Sequence, residues 1–322
     1  MDFDLSDAQT AQRAAARNLA DGIGADAPVA EVVARAAASG LADPDDDLLA
    51  SVVAVEALAE SSASAALAVA LHASVAPLLS SHSRGQAVRR GEIVGAIALS
   101  SDDVPELREG CLWGSASWVA PLTSNGVAVV GVPGADGPMA AAVALDDTGV
   151  VQRPVTVSAL DGLVCGHLRL EGAAFMEAGP TPPFMTRARI LLAAAGLGMG
   201  GRALREALRA AKGRTGHGAG GEQTVQGLLA DAATELDAAR LLTWKAAAAD
   251  SPSLVEASMA KLAVTEATQR AVLRATQVIG AESFRAGHVI ERLARDVRAL
   301  ELFAGRTEAL REAVALGTLP QV

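Results

Sequence analysis

The 322-residue chain has no tyrosine, only two cysteines and no apolar run of the roughly 18 residues that a membrane-spanning helix needs. Cys111 and Cys165 form neither a metal-binding nor a redox spacing, so we interpret them as buried, reduced thiols. The first residues lack the basic and apolar regions of a signal peptide. These absences predict a cytoplasmic protein that does not associate with membranes.

Positive charge is also scarce, because 27 lysines and arginines face 37 aspartates and glutamates and the formal net charge is -10. This balance argues against a nucleic-acid partner, which would need a basic surface. The chain is rich instead in small apolar residues. Hydrophobic residues make up 51% of it, and much of this share is alanine, the strongest helix former. The composition predicts helices that pack closely through small side chains.

The pattern changes twice along the chain, and we predict three domains: a helical domain over 1–91, a β domain over 92–180 and a helical bundle over 181–322. Short apolar runs separated by Gly, Pro, Asn and Asp predict a small β-barrel or sandwich in the middle. The predicted strands cover 93–99, 126–132, 140–145, 149–156 and 166–170.

Local signals refine the two helical domains. Ser6 stands at a helix-cap position, and Ser61-Ser62 interrupts an apolar helical pattern. His72 lies in that pattern without a carboxylate nearby in sequence, so we interpret it as a packed rather than a catalytic histidine. In the last domain, breaks over 280–283 and 303–305 separate helices.

The stretch from Ala271 to Arg311 carries the most specific pattern. It resembles the C-terminal signature of acyl-CoA dehydrogenases: a Gln three residues before a Gly-Gly-x-Gly-Phe loop, then Val-Glu-x-Leu-x-Arg-Asp, then Tyr-Glu-Gly-Thr. The matching residues are Gln277, Gly280, Phe284, Ile290, Glu291, Arg292, Leu293, Arg295 and Asp296. The resemblance implies a mainly α fold with a central β domain and a C-terminal four-helix bundle. It also implies FAD-dependent α,β-dehydrogenation of an acyl-CoA thioester.

Other positions resemble family residues that approach the flavin. Trp118 matches the Trp of Gly-x-Lys-x-Trp-Ile-Thr, and Lys212 stands for the Arg that reaches the cofactor diphosphate. Alternatively, Trp118 fills the β-domain core and the loop after Lys212 is a solvated turn. The candidate FAD-binding residues implied by the resemblance are Ser100, Trp118, Lys212, Gln223, Gln277 and Gly280. The chain departs from the family at Glu282, which brings negative charge toward the diphosphate unless its side chain turns to solvent or pairs with Arg285.

The catalytic glutamate of the family is missing. It stands at one of two positions, and this chain has Ala304 at one and Ala188, beside Arg189, at the other. A carboxylate is needed there because it takes the α proton while a hydride leaves the β carbon for the flavin. We therefore predict no catalytic base at either position. Glu301 and Glu308 are the nearest substitutes, and we interpret them as surface partners of neighbouring arginines.

This shortened, base-less form resembles the short partner subunits of actinobacterial heteromeric (α2β2) acyl-CoA dehydrogenases, some of which act on steroid-derived thioesters. The resemblance implies a longer catalytic subunit as partner, and FAD that this chain shares or the partner holds. It also implies an acyl-CoA substrate of lipid or steroid origin and an electron-transfer flavoprotein or a similar acceptor. Two alternatives stay open: an active homomeric dehydrogenase whose base is Glu301 or Glu308, and a flavin-free acyl-CoA-binding or scaffold protein.

Apolar side chains lie on more than one side of two bundle helices, too widely for a single buried stripe. They are Leu191, Leu192, Leu197 and Met199 on one helix, and Leu293, Val297, Leu300, Leu302 and Phe303 on another. We expect an obligate oligomer in which a second subunit covers them.

Overall fold

A computed structural model describes residues 4–23, 27–41, 47–80, 83–98, 103–134, 137–213 and 223–319. In this part of the chain, one block of strands separates two groups of helices. The helices are α1 (Asp7–Gly22), α2 (Val29–Ala38), α3 (Leu48–Ala59), α4 (Ala63–Val75), α5 (Gly85–Arg89), α6 (Thr181–Gly213), α7 (Gln223–Ala247), α8 (Leu254–Ile279), α9 (Val289–Leu302) and α10 (Thr307–Thr318). The strands are β1 (Gly95–Ala98), β2 (Glu106–Arg108), β3 (Cys111–Ala120), β4 (Val127–Gly134), β5 (Gly137–Ala144), β6 (Val150–Val155), β7 (Cys165–Ala173) and β8 (Met176–Pro180).

The predicted signals at the ends of the first helices are confirmed. Ser6 caps α1 in a capping box with Gln9, because each side chain accepts from the other residue's backbone N–H. The predicted interruption falls between α3 and α4, where the Ser62 side chain accepts from the N–H of Ala65. Both α3 and α4 are buried on nearly all sides, since their alanines and valines allow close neighbours in every direction.

The 33-residue helix α6 lies at the centre of the molecule and packs against α3, α4, α7, α8 and α9. Close approach requires small residues at two points. A Cβ on Gly198 would lie 2.2 Å from the carbonyl oxygen of Glu56 on α3, and one on Gly196 would lie 2.6 Å from Val264 on α8. The predicted packing role of these small residues is confirmed.

One expectation about α6 was wrong. Its four large apolar residues, Leu191, Leu192, Leu197 and Met199, are all buried within this chain, so no second subunit is needed to cover them. The reason is that α6 has neighbours on every side, and such a helix is apolar all round. On α9 the apolar residues Leu293, Val297, Leu300 and Phe303 are buried too, whereas Leu302 is exposed.

All eight strands belong to one mixed sheet in the order β6-β7-β3-β1-β4-β5-β8, with β2 paired to β3. The pair β1 and β4 is parallel, and the other pairs are antiparallel. One buried cluster contains residues from strands that are far apart in this order, such as Leu168 of β7 and Val143 of β5. The sheet therefore wraps around its own core. Residues on the other face, among them Ile97 and Val129, join the core of the helices.

Several polar contacts attach the sheet and its loops to the helices, among them those of His72 and Asp296. His72 of α4 is fully buried, and its Nδ1 accepts the N–H of Gly95 at 2.9 Å, as a packed histidine would. Burial lowers the pKa of His72 to about 4. Asp296 of α9 accepts the N–H of Leu160 at 2.6 Å, in the loop between β6 and β7. None of the described helices is long and apolar enough to cross a membrane.

His72 makes the fold sensitive to acid. Its pKa of about 4 in the folded protein lies below the value of about 6.5 expected after unfolding, so the unfolded chain binds more protons between these values. The stability it contributes is present above pH 6.5 and is lost as the pH falls toward 4. We expect His72→Gln to remove up to about 3 kcal/mol of the acid-dependent decrease in the free energy of unfolding. Urea titrations from pH 7 to pH 4 measure this decrease in the free energy of unfolding. His167→Gln is the control, and a decrease of unchanged size in His72→Gln would contradict the assignment.

Candidate functional site

The segment between α9 and α10 forms a tight turn around Ala304, where the sequence resemblance leads us to expect a glutamate, and the predicted break over 303–305 is confirmed. Ala304 is buried and has a φ of 54°, and Gly305 follows with a φ of 117°. Two successive residues in left-handed backbone reverse the chain sharply, and for Ala304 this conformation is strained. The turn therefore needs support from its surroundings.

Arg189 of α6 supplies part of that support. Its Nε donates to the carbonyl oxygen of Ala304 at 3.0 Å, and its Nη1 donates to Ser258 Oγ at 2.7 Å. Burial lowers the pKa of Arg189. Ala188, the second base position, immediately precedes this arginine and is itself buried. Arg189 thus connects the helix that carries Ala188 to the turn that carries Ala304, and the side chain at each of these two positions is a methyl group, which cannot take a proton.

Lys261 of α8 also supports the turn, and the sequence analysis missed this residue. Its side chain is 1% exposed, and its Nζ lies 3.2 Å from the carbonyl oxygen of Gly305 and 3.4 Å from that of Leu300. Burial, reinforced by the charge of Arg189, lowers the pKa of Lys261 to about 7. A lone lysine in helical phase with Ala257 and Val264 was the available signal in the sequence.

Glu301 is not placed to act as a base. Its carboxylate accepts from Gln269 at 2.8 Å and from Thr307 at 2.8 Å, and it pairs with Arg298 at 2.9 Å. Burial would raise its pKa, but these hydrogen bonds and the charges of Arg298 and Lys261 outweigh burial and leave the pKa lowered. A carboxylate that takes a proton efficiently near neutral pH needs a raised pKa, which is the opposite shift. Glu308 is exposed on α10, beyond the break.

Trp118 does not fill the core of the sheet, so that alternative was wrong. Its side chain is 43% exposed, because a φ of 54° at an irregularity in the pairing of β3 with β7 turns it outward. Its backbone N–H donates to His167 Nδ1 at 3.4 Å, and the two rings meet edge to face with centroids 5.3 Å apart. The result is an exposed aromatic pair on the sheet surface, and His167 is a second residue that the sequence analysis missed.

Gln277 and Gly280 lie at the carboxyl end of α8. Gln277 is exposed, and Gly280 has a φ of 77° that ends the helix. The charge of Glu282 is paired with Arg285 at 2.8 Å, so the pairing that the sequence analysis required is present. No described hydrogen bond or ion pair joins Gln277 or Gly280 to Trp118 on the sheet.

Two of the remaining candidate residues flank the loop between α6 and α7, and the third lies outside the described residues. Lys212 is exposed in the last turn of α6, and Gln223 is exposed at the first position of α7. Ser100 lies outside the described residues, as does most of the loop after Lys212. In the described ranges, no group of three or more His, Cys, Asp and Glu side chains could hold a metal ion.

Comparison with known proteins assigns the helical bundle. Residues 183–319 match the sequence profile of the acyl-CoA dehydrogenase C-terminal domain. The human mitochondrial short-chain specific acyl-CoA dehydrogenase is 38% identical over 132 residues, which are 39% of this chain and 32% of that protein. The 3-sulfinopropanoyl-CoA desulfinase of Paraburkholderia xenovorans is 41% identical over 99 residues, which are 30% of this chain and 25% of that protein. The chain spans no more than about a third of these relatives.

The fold extends the likeness to the whole chain. The butyryl-CoA dehydrogenase of Megasphaera elsdenii superposes with a TM-score of 0.85 at 18% identity and covers 99% of this chain and 100% of its own. PigA, solved with FAD and proline, superposes with a TM-score of 0.86 at 20% identity, over 98% of this chain and 99% of its own. The likeness takes in the helical domain, the mixed sheet and the helical bundle of this chain. Residues 183–319 therefore resemble the acyl-CoA dehydrogenase C-terminal domain in sequence, and the chain as a whole shares the fold of these two solved structures.

The contacts of Arg189 predict its contribution to stability. Arg189→Met should lower the free energy of unfolding by about 2–4 kcal/mol, since it leaves the buried carbonyl of Ala304 and the hydroxyl of Ser258 with one partner fewer. Arg292→Met, an exposed arginine on α9, is the matched control and should change it by less than about 0.5 kcal/mol. Chemical denaturation at pH 7 measures both. Equal effects in the two variants would rule out a supporting role for Arg189.

Proposed function

We propose that this chain is the non-catalytic subunit of a heteromeric, FAD-dependent acyl-CoA dehydrogenase, in which a longer partner subunit supplies the carboxylate base. The observation that carries the proposal is the pair of buried alanines, Ala304 and Ala188, at the two base positions. The turn around Ala304 is well supported although it carries no base. A chain that keeps the frame of the site without its proton acceptor needs a second chain to complete the reaction.

The exposed candidate residues support a cofactor role shared between subunits. Trp118 offers a flat aromatic surface on the sheet, and Lys212 offers a positive charge for a diphosphate. Gln277 can donate its side-chain amide, and Gly280 lets a ligand approach the backbone at the end of α8. FAD, when bound, supplies the acceptor for the hydride that leaves the β carbon of the thioester. The pairing of Glu282 with Arg285 partly offsets the negative charge that opposed a diphosphate there.

Exposed apolar residues beside Gln277 support a partner surface. Leu273 lies one turn before Gln277 on α8 and is 69% exposed, and Phe284 lies just beyond α8 and is 74% exposed. Leu302 at the end of α9 is exposed as well. Large apolar side chains this open to water favour burial by another subunit. These exposed residues, rather than the buried leucines of α6, therefore support the proposal of an oligomer.

A second function is favoured by one relative. The name 3-sulfinopropanoyl-CoA desulfinase describes the loss of a sulfinate group rather than a dehydrogenation. A site without a carboxylate is compatible with such chemistry, because no α proton need be taken. The substrate class would again be an acyl-CoA thioester. Release of sulfite from 3-sulfinopropanoyl-CoA by the chain alone would favour this function over the accessory role.

Co-purification tests the accessory role directly. The chain should be expressed alone and with longer acyl-CoA dehydrogenases encoded by the same genome. The accessory role predicts a yellow complex with equal numbers of the two chains, whose thioester oxidation depends on the partner's carboxylate. A yellow, active homomer would favour the homomeric dehydrogenase, and a colourless homomer that binds no flavin would favour the scaffold.

The isolated chain is expected to oxidise no acyl-CoA, because Ala304 and Ala188 cannot accept a proton and the lowered pKa of Glu301 makes its carboxylate a weak base. The assay uses an artificial electron acceptor and thioesters of several chain lengths. Glu301→Gln and Glu308→Gln serve as matched variants. Turnover above background that either variant abolishes would overturn the prediction and support a relocated base.

In the complex, Gln277→Ala is expected to weaken flavin retention, because the exposed side-chain amide at the end of α8 is lost. A loss of about one hydrogen bond corresponds to roughly a tenfold higher dissociation constant. Flavin absorbance after gel filtration measures it. Gln226→Ala, an exposed glutamine on α7, is the control. Flavin content that is equal in both variants would confine this chain to a scaffolding role.

A further inference from the structure

The turn that carries residue 304 is held by two nitrogen-bearing side chains rather than by a carboxylate. Arg189 donates to the carbonyl oxygen of Ala304, and Lys261 donates to those of Leu300 and Gly305. The Leu300 carbonyl lies in the last turn of α9 and those of Ala304 and Gly305 follow it, at the end where few intrahelical donors remain and the helix dipole is negative. The two side chains therefore replace the missing donors at this helix end.

The charges around Lys261 do not balance a buried ammonium. Arg189 of α6 faces it with a like charge, and Glu301 of α9 faces it with an opposite charge that is already shared with Arg298. On α10, Arg311 is paired with Glu266 of α8. Within the described residues, no carboxylate oxygen lies within ion-pair distance of the Lys261 Nζ. Burying a second cation beside Arg189 without its own counter-ion is unfavourable.

The hydrogen-bonding capacity of the amine fits its neutral form. An ammonium has three N–H donors, whereas a neutral amine has two. Lys261 meets two carbonyl acceptors, those of Leu300 and Gly305, and is almost completely shielded from water, which could satisfy a third donor. A neutral amine leaves no donor of its own unsatisfied in this environment.

We propose that Lys261 positions the 303–305 turn as a neutral amine, and that protonation of this amine releases the turn. The pKa of about 7 for the buried group agrees with this geometry, against about 10.4 when the turn is open to water. The open state then binds more protons between these values, so the turn closes more firmly as the pH rises from 7 toward 10. Below pH 7 both states are protonated and the opening equilibrium becomes independent of pH. The inference does not depend on whether the chain is an accessory subunit.

Hydrogen exchange of the full chain tests the proposal. The readout is the protection of the Phe303 amide, which donates to Leu300, in a peptide that covers 300–310, corrected for the intrinsic pH dependence of exchange. Protection should be constant below pH 7 and should rise by up to about tenfold per pH unit above it. Lys261→Met keeps the apolar stem but lacks the amine, and its protection should not depend on pH. Lys261→Arg, which stays charged, should keep the low protection of acidic conditions at every pH.

Lys245→Met on α7 is the matched control, since this lysine is half exposed and paired with Glu256. It should follow the wild-type pH profile. A flat wild-type profile between pH 6 and pH 9.5 would overturn the proposal even if Lys261→Met did not fold. A slope in Lys261→Met equal to that of the wild type would assign the pH dependence to another group and overturn it as well.

Discussion

The close packing of α6 against its neighbours is the constraint on which the rest of the structure depends. At Gly198 the backbone of α6 approaches α3 so closely that a single methyl group would overlap the carbonyl of Glu56. At Gly196 the carbonyl of α6 accepts the hydroxyl of Thr268 on α8 at 3.0 Å. Because interiors pack as densely as crystals, a larger residue at either point would move a whole helix. The alanine-rich composition of the chain follows from this requirement.

That packing fixes the geometry of the site as well. Arg189 leaves α6 one residue after Ala188 and reaches the Ala304 turn only because α6 lies beside α8 and α9. Lys261 reaches the same turn from α8. Three helices thus converge on one strained turn, and backbone carbonyls at a helix end bear the negative potential that the two side chains meet. Backbone dipoles and the two nitrogen-bearing side chains thus organise this turn.

Local signals in the sequence were sufficient for much of the fold. The caps at Ser6 and Ser62 and the breaks near Gly280 and Gly305 are decided by a few adjacent residues, and they were predicted correctly. The burial of Leu191 on α6 was not predicted correctly, because it depends on how many helices surround α6. A local sequence pattern does not indicate that number.

The same distinction applies to the site. The assignment of Ala304 and Ala188 to base positions comes from the sequence alone, because their neighbours resemble the family pattern, and it stays a prediction. The outward rotation of Trp118 arises from a left-handed backbone at a bulge, and the burial of Lys261 arises from contacts 39 and 44 residues away along the chain. Lysine is almost always exposed, so a pattern-based interpretation assigns it to the surface. The burial of Lys261 is visible only in the folded three-dimensional structure.

The missing base and the neutral lysine have one electrostatic explanation. A carboxylate on residue 304 would stand in the turn that Arg189 and Lys261 support, and its charge would favour the protonated form of the lysine. With alanine there, Arg189 is left as the nearer charge and the amine loses its proton more readily. Neutralising Lys261 keeps both hydrogen bonds to the turn while removing the repulsion between two buried cations. An ordered turn is therefore compatible with alanine at residue 304.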